Sequence, residues 1–170
     1  QQAPPQIPYV LLISIDGYRY DYTKKYQPTF LSKLEKKGLS AKSLIPIYPS
    51  KTFPNHLSMI TGSYSEDHGI VANMFYHKKS FRRFSLRSKK EKYNPDWYEK
   101  DPIWIPLEQK GIKTASFFWP SSDVLLSNTR PSYYLEYDGR IKNEKRVQQV
   151  LEWFQLEEHL RPHFVSLYFS

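Results

Sequence analysis

Val10-Leu11-Leu12-Ile13-Ser14-Ile15 is a near-continuous apolar run that stops at Asp16-Gly17. Its length and composition predict a strand of a parallel sheet, buried on both faces. In an open α/β sheet, ligands gather beyond the carboxyl ends of the strands. Asp16 therefore stands where a metal ligand or a catalytic acid belongs. Its other reading is a turn aspartate that accepts backbone N–H bonds after a strand.

Downstream, the same chemistry alternates with helical patterns. Thr29 to Lys37 predicts an amphipathic helix with Phe30, Leu31 and Leu34 on one face and Gly38 as its stop. Ser43 to Tyr48 is strand-like. Asn55 to Ile60 predicts a helix closed by Gly62, with Thr52 at the turn that enters it. Tyr64 to Asn73 reads as a polar loop with His68-Gly69 at a turn, and Met74 to Leu86 as a basic hairpin. Pro102 to Lys110 predicts a short helix ended by Gly111, and Thr114 to Trp119 a second buried strand. Asn143 to Leu156 predicts a helix with Val147, Val150, Leu151 and Phe154 as its stripe. His163 to Ser170 is a third buried strand. This alternation predicts an α/β fold, with a mostly parallel central sheet flanked by helices. Sites are built at the carboxyl ends of such strands, so a chain that stops there reads as the amino-terminal half of something larger.

The bulk composition narrows the class. At 170 residues the chain has a one-domain length. Aromatic residues make up 16% of it, too rich for disorder. It has no cysteine, which excludes both a disulfide framework and a thiolate zinc site. No apolar run approaches the ~20 residues needed to span a bilayer, so no membrane span is expected. Gln1-Gln2-Ala3-Pro4-Pro5 looks like the start of a mature chain after cleavage, which points to a periplasmic or secreted protein. The net charge is +8, and the segment from Lys78 to Lys92, with eight Lys or Arg and one Glu, supplies +7 of it. One reading is a patch that attracts phosphate-bearing substrates or polyanions. The other is a solvated hairpin whose Phe81, Phe84 and Leu86 pack inward.

Tyr48-Pro49-Ser50-Lys51-Thr52-Phe53-Pro54-Asn55-His56 is the second informative stretch. A hydroxyl at a helix entrance has backbone N–H groups and the positive dipole end nearby, which suits an alkoxide and a phosphate. Thr52 could equally cap the following helix through its side chain.

These motifs, with Thr61-Gly62-Ser63-Tyr64, Glu66-Asp67-His68-Gly69-Ile70, Asn73, Asn94-Pro95-Asp96-Trp97-Tyr98, Phe118-Trp119-Pro120, Asp123, Tyr137-Asp138-Gly139 and Arg161-Pro162-His163-Phe164, occur in an order that resembles the nucleotide pyrophosphatases/phosphodiesterases of the alkaline phosphatase superfamily. The resemblance covers Tyr9 to Phe169. It implies an alkaline-phosphatase-like fold, incomplete in this chain: residues 1–8 are an extension, and 9–170 the amino-terminal part of a phosphodiesterase catalytic domain.

It also implies roles. Thr52 matches the family nucleophile and is a zinc ligand as well, because coordination lowers the pKa of a hydroxyl that is otherwise a poor nucleophile. Asp16 matches a carboxylate on the same zinc. Asn73 matches an amide that donates to a non-bridging phosphate oxygen, a task that needs a neutral donor; its plain reading is a loop-turn asparagine. Phe53 and Tyr137 match positions lining a nucleoside pocket, where a base stacks between rings, with core packing the rival for Phe53. Lys51 could bias the local field toward anions. Asp123 has a substrate-side or a structural role.

Two zinc ions are implied per complete site, about 4 Å apart and clamping an in-line displacement; ligands for the second lie outside this chain. Substrates would be nucleotides or other phosphodiesters, with no stable nucleic-acid complex, and the remainder of the catalytic domain would be the chain's partner. Residues 1–170 alone would bind zinc poorly and be inactive. A lipid or choline phosphodiesterase of the same family is one alternative, and a non-catalytic polyanion-binding fragment another. His56 and His68 read as structural hydrogen-bonders. His159 and His163 read as unrelated, since Pro162 prevents one helix from carrying both.

Overall fold

The computed structural model describes residues 7–170; the expected mature start at residues 1–5 lies outside the described residues. Strands β1 (Val10–Ile15), β4 (Thr114–Phe117), β5 (Tyr133–Leu135) and β6 (Phe164–Phe169) form one sheet in the order β1-β6-β4-β5. All its pairings are parallel, as the alternating pattern predicts. A separate antiparallel hairpin joins β2 (Met74–His77) to β3 (Arg82–Ser85). The helices are α1 (Tyr22–Tyr26), α2 (Thr29–Lys37), α3 (Thr52–Thr61), α4 (Ser65–His68), α5 (Lys89–Lys92), α6 (Trp104–Gln109) and α7 (Asn143–Phe154). No helix among the described residues is long and apolar enough to cross a membrane.

The sheet separates two apolar clusters. One joins Phe53, Leu57 and Ile60 of α3 to Phe84 of the hairpin and to Trp97, Trp104 and Trp119. The other joins Ala115 and Phe117 of β4 and Val165 and Leu167 of β6 to Val150 and Trp153 of α7. The Glu108 carboxylate ties the layers together, accepting from the backbone N–H and hydroxyl of both Thr114 and Ser132 at 2.6–2.8 Å. At Gly69 (φ +85°) an added Cβ would lie 2.5 Å from the Trp97 carbonyl oxygen, so only glycine fits.

Several expectations are corrected. β1 is an edge strand of this sheet and is not buried on both faces: Val10, Leu11, Ile13 and Ile15 are exposed. Ser43 to Tyr48 forms no strand. Its backbone is instead held by the Asn55 side chain, whose Oδ1 accepts from the Ile47 N–H at 2.8 Å while Nδ2 donates to the Pro49 and Lys51 carbonyls. Helix α3 begins three residues early, at Thr52. Phe81 is 80% exposed at the hairpin tip, whereas Phe84 is fully buried as expected. Helix α2 forms but buries none of its residues. In α7 the buried positions are Arg146, Val150 and Trp153, while Val147 and Leu151 face outward. A buried arginine escapes a stripe drawn from apolar residues; its Nη1 donates to the Tyr168 carbonyl at 2.9 Å, and its guanidinium lies 5.0 Å from the Phe118 ring centre.

His68 sets a pH dependence. Its Nδ1 accepts from the Ile70 N–H at 3.3 Å, so Nε2 carries the proton and faces the Ser58 hydroxyl at 3.0 Å. Burial pushes its pKa below the ordinary histidine value. The unfolded chain therefore binds the extra proton first, and the stabilising effect of neutral His68 is complete above about pH 6.5 and declines as pH falls below it. Stability should drop by up to about 1.4 kcal/mol per pH unit from this group. Melting curves from pH 7.5 to 5.0 should slope less steeply in His68→Gln than in the wild type; identical slopes would rule His68 out.

Candidate active site

The carboxyl ends of the strands converge on one edge. Asp16 follows β1, with Gly17 turning the chain away at φ +70°. The loop after β4 carries Phe118 to Asp123, Tyr137 follows β5, and Tyr168 lies near the end of β6. Thr52, in the first turn of α3, comes to meet them. Its Oγ1 donates to Asp16 Oδ2 at 2.9 Å. Neither bland alternative describes this geometry: the Thr52 hydroxyl bonds a carboxylate rather than a helix N–H, and the bonds found for the Asp16 side chain come from side chains.

Tyr168 completes the group, and the sequence reading missed it. Its hydroxyl donates to the same Asp16 Oδ2 at 2.8 Å, and the parallel register sets Tyr168 beside Ser14. Burial, with the bond to Asp16, raises the phenol's pKa well above its ordinary value and keeps it a donor. The signal was present as a tyrosine near the carboxyl end of a buried strand, but its partner is 152 residues away.

His56 fixes the angle of α3. Its Nδ1 lies 2.7 Å from the Thr52 carbonyl, which can only accept, so Nε2 accepts from the Ser14 hydroxyl at 2.7 Å. Burial pushes the His56 pKa below its usual value, keeping it neutral. The ring makes T-shaped contacts with both Trp119 and Tyr168, each with centres 5.1 Å apart. Both His56 and His68 thus act as buried hydrogen-bonders. His159 faces Glu157 at 3.5 Å on the surface, while His163 stacks on Tyr9 with ring centres 4.5 Å apart.

Thr52 borders two spaces. On one side is an open groove of about 1760 Å³, which also takes in Asp16 and Lys51. Lys51 is exposed there and forms no ion pair among the described residues. On the other side is a smaller pocket of about 300 Å³ lined by Phe53, Asn73, Leu86, Phe118, Tyr137 and Tyr168, with Lys92 and Asp123 contributing charge. Asn73 Oδ1 accepts from the Phe53 N–H at 3.1 Å, leaving its amide NH₂ without a partner among the described residues. Phe53 does both things asked of it, since it is core-buried and also lines the pocket. Tyr137 is half-exposed and meets Phe118 edge-on at 5.2 Å.

Asp123 is only 5% exposed. Its Oδ2 accepts from Lys92 Nζ at 2.6 Å and from the Tyr93 hydroxyl at 3.1 Å. Burial and the adjacent Asp123 charge raise the Tyr93 pKa. Lys92 was missed as a pocket residue because it lay inside a run read as one charge patch. That patch is partly consumed internally: Arg82 bonds Glu91 and Asp96 and covers the Trp97 ring, and Lys92 bonds Asp123.

Comparisons with known proteins show the family and the fold. A family model described as type I phosphodiesterase / nucleotide pyrophosphatase matches residues 10–170. Ectonucleotide pyrophosphatase/phosphodiesterase family member 1 of Homo sapiens is 45% identical over 165 residues, which span 96% of this chain and 18% of that protein. Venom phosphodiesterase CdcPDE of Crotalus durissus collilineatus is 38% identical over 161 residues, 94% of this chain and 19% of its own length. The chain thus spans about a fifth of the curated relatives it matches. Among solved structures, murine ectonucleotide pyrophosphatase / phosphodiesterase 5 superposes with a TM-score of 0.88 at 32% identity, covering 95% of this chain and 43% of the other. An inactive threonine-to-alanine form of that murine protein, in complex with AMP, superposes with the same score over 96% of this chain and 43% of its own.

Proposed function

Since this chain belongs to the type I phosphodiesterase / nucleotide pyrophosphatase family, we propose that it carries the nucleophile and the base pocket of a zinc-dependent enzyme that cleaves phosphodiester or pyrophosphate bonds of nucleotides. The observation that carries this reading is the 2.9 Å contact of Thr52 Oγ1 with Asp16 Oδ2 at the border of an aromatic pocket. The AMP complex of the murine relative supports a nucleotide as ligand. Family names containing "ecto" and "venom" support an extracellular location.

The chain's donors suit one zinc in part. Asp16 and Thr52 supply a carboxylate and a hydroxyl on one side of a groove, and no cluster of three His, Cys, Asp or Glu exists among the described residues. Asp16 and Thr52 would hold the ion together with ligands from the remainder of the catalytic domain. When bound, zinc would acidify the Thr52 hydroxyl and offset phosphate charge.

Thr52 Oγ1 attacks phosphorus, the bond to the leaving oxygen breaks, and the leaving group departs as an alcohol or a phosphate. Water then hydrolyses the nucleotidyl-threonine, releasing a nucleoside monophosphate and restoring the hydroxyl. Asp16 orients Thr52 and is itself oriented by Tyr168. The Asn73 amide donates to a non-bridging oxygen, and the amino-terminal end of α3 favours negative charge there. The pocket's volume of about 300 Å³ lies within the range of small-ligand sites, and its rings can stack on a base.

Exhaustive chelation of the full-length enzyme should abolish hydrolysis of a p-nitrophenyl nucleotide ester, and zinc should restore it. Undiminished activity after chelation would overturn the metal's role.

A further inference from the structure

Two side-chain bonds join the end of β1 to α3, and they are consecutive. Thr52 and His56 stand one turn apart on α3 and share a face of it. Ser14 and Asp16 are alternate residues at the carboxyl end of β1, on one side of the strand. A helical turn advances about 5.4 Å and two strand residues about 6.6 Å, so the pairs can meet rung by rung. They do: Thr52 Oγ1 donates to Asp16 Oδ2 at 2.9 Å, and Ser14 Oγ donates to His56 Nε2 at 2.7 Å.

One bond alone would leave the helix free to pivot about it. The second fixes the rotation and the slide of α3 against the strand that carries Asp16. The His56 ring also holds the residue of the nucleophile, its Nδ1–H donating to the Thr52 carbonyl at 2.7 Å. Trp119 and Tyr168 wedge the ring, and the Trp119 Nε1–H donates to the His56 carbonyl at 3.2 Å. Packing alone does not call for a histidine here. His56 is 4% exposed, and an apolar ring would fill the same space without polar atoms to satisfy.

We propose that His56 is a positioning residue, setting through the Ser14 rung the direction in which Thr52 Oγ1 points at phosphorus, a role that rests on the reading of Thr52 as nucleophile. An attacking oxygen misplaced by about 1 Å costs on the order of a hundredfold in rate. His56 acts through Thr52 and Asp16, whereas the aromatic pocket is lined by other residues. The effect therefore belongs in kcat rather than in KM.

The test uses the full-length enzyme and a p-nitrophenyl nucleotide ester, with zinc in excess. Ser14→Ala removes one partner at a half-buried site and should lower kcat about tenfold, with KM within about twofold of the wild type. Ser14→Thr keeps the hydroxyl and should retain most of the turnover. His56→Phe keeps a ring of similar volume and should melt within about 6 °C of the wild type, yet lower kcat about a hundredfold. Adding Ser14→Ala to His56→Phe should cost nothing further, because both remove the same rung.

A folded Ser14→Ala enzyme with wild-type kcat would overturn the proposal and leave His56 as a packing residue, and so would losses that multiply in the double variant. A Thr52→Ala enzyme with wild-type kcat would instead remove the nucleophile reading, and the positioning role with it.

Discussion

Thr52→Ala in the full-length enzyme should lower kcat by about 10⁴-fold or more, the scale of loss seen when a covalent nucleophile is removed. The folded state should hardly notice. Thr52 lies in the first turn of α3, its N-cap is Lys51, and its side chain caps no helix N–H. The lost interaction is one hydrogen bond to Asp16, which retains the Tyr168 donor at 2.8 Å. Alanine is also the better helix former. Melting temperature should therefore shift little, and calorimetric affinity for a nucleotide monophosphate should survive, since the pocket is lined by other residues. Thr52→Ser should retain part of the turnover. A Thr52→Ala enzyme with wild-type kcat would leave the threonine with no catalytic role.

How much of this was legible in the sequence depends on what each residue's partner is. Strands β4 and β6 were visible because they are short apolar runs whose neighbours are also strands. The position of Asp16 followed from the same logic, since a carboxylate at the carboxyl end of a parallel strand lies on the site edge of an α/β sheet even where that strand is an exposed edge. Ser43 to Tyr48 has strand composition, yet Asn55 satisfies its backbone and no neighbouring strand pairs with it. Apolar content predicts strand only where a partner is available. The exposure of β1 is equally invisible to composition, because edge or centre is decided by sheet order.

The site shows the same division. Thr52 and Asp16 stand on sequence motifs, but Tyr168 joins them only through the parallel register of β1 and β6. Arg146 was hidden by a different rule. A helix stripe drawn from apolar residues omits a guanidinium that is buried because carbonyls and an aromatic face receive it.

Lys92→Met should be the costliest single change in the pocket for stability, at about 3–5 kcal/mol. Lys92 and Asp123 are 14% and 5% exposed at the side chain, with Nζ and Oδ2 2.6 Å apart. Removing the lysine leaves a short carboxylate fixed in a buried loop, with the Tyr93 hydroxyl as its one remaining partner among the described residues. Asp123 itself is only 5% exposed, so little water solvates its charge. Removing the aspartate is not equivalent. Lysine has a long flexible stem and can carry its ammonium toward the open end of the pocket, so Asp123→Ala should cost about 1–3 kcal/mol. Its penalty should appear instead in catalysis, as a cation swung into the pocket disturbs base binding and raises KM for the nucleotide ester. The double variant Lys92→Met/Asp123→Leu removes both charges, replaces them with apolar groups and should recover most of the stability lost by Lys92→Met. Thermal or urea melts of the three variants measure this directly. Additive losses would mean that the two charges are not coupled, and an Asp123→Ala protein less stable than Lys92→Met would mean that the lysine, not the carboxylate, is the trapped charge.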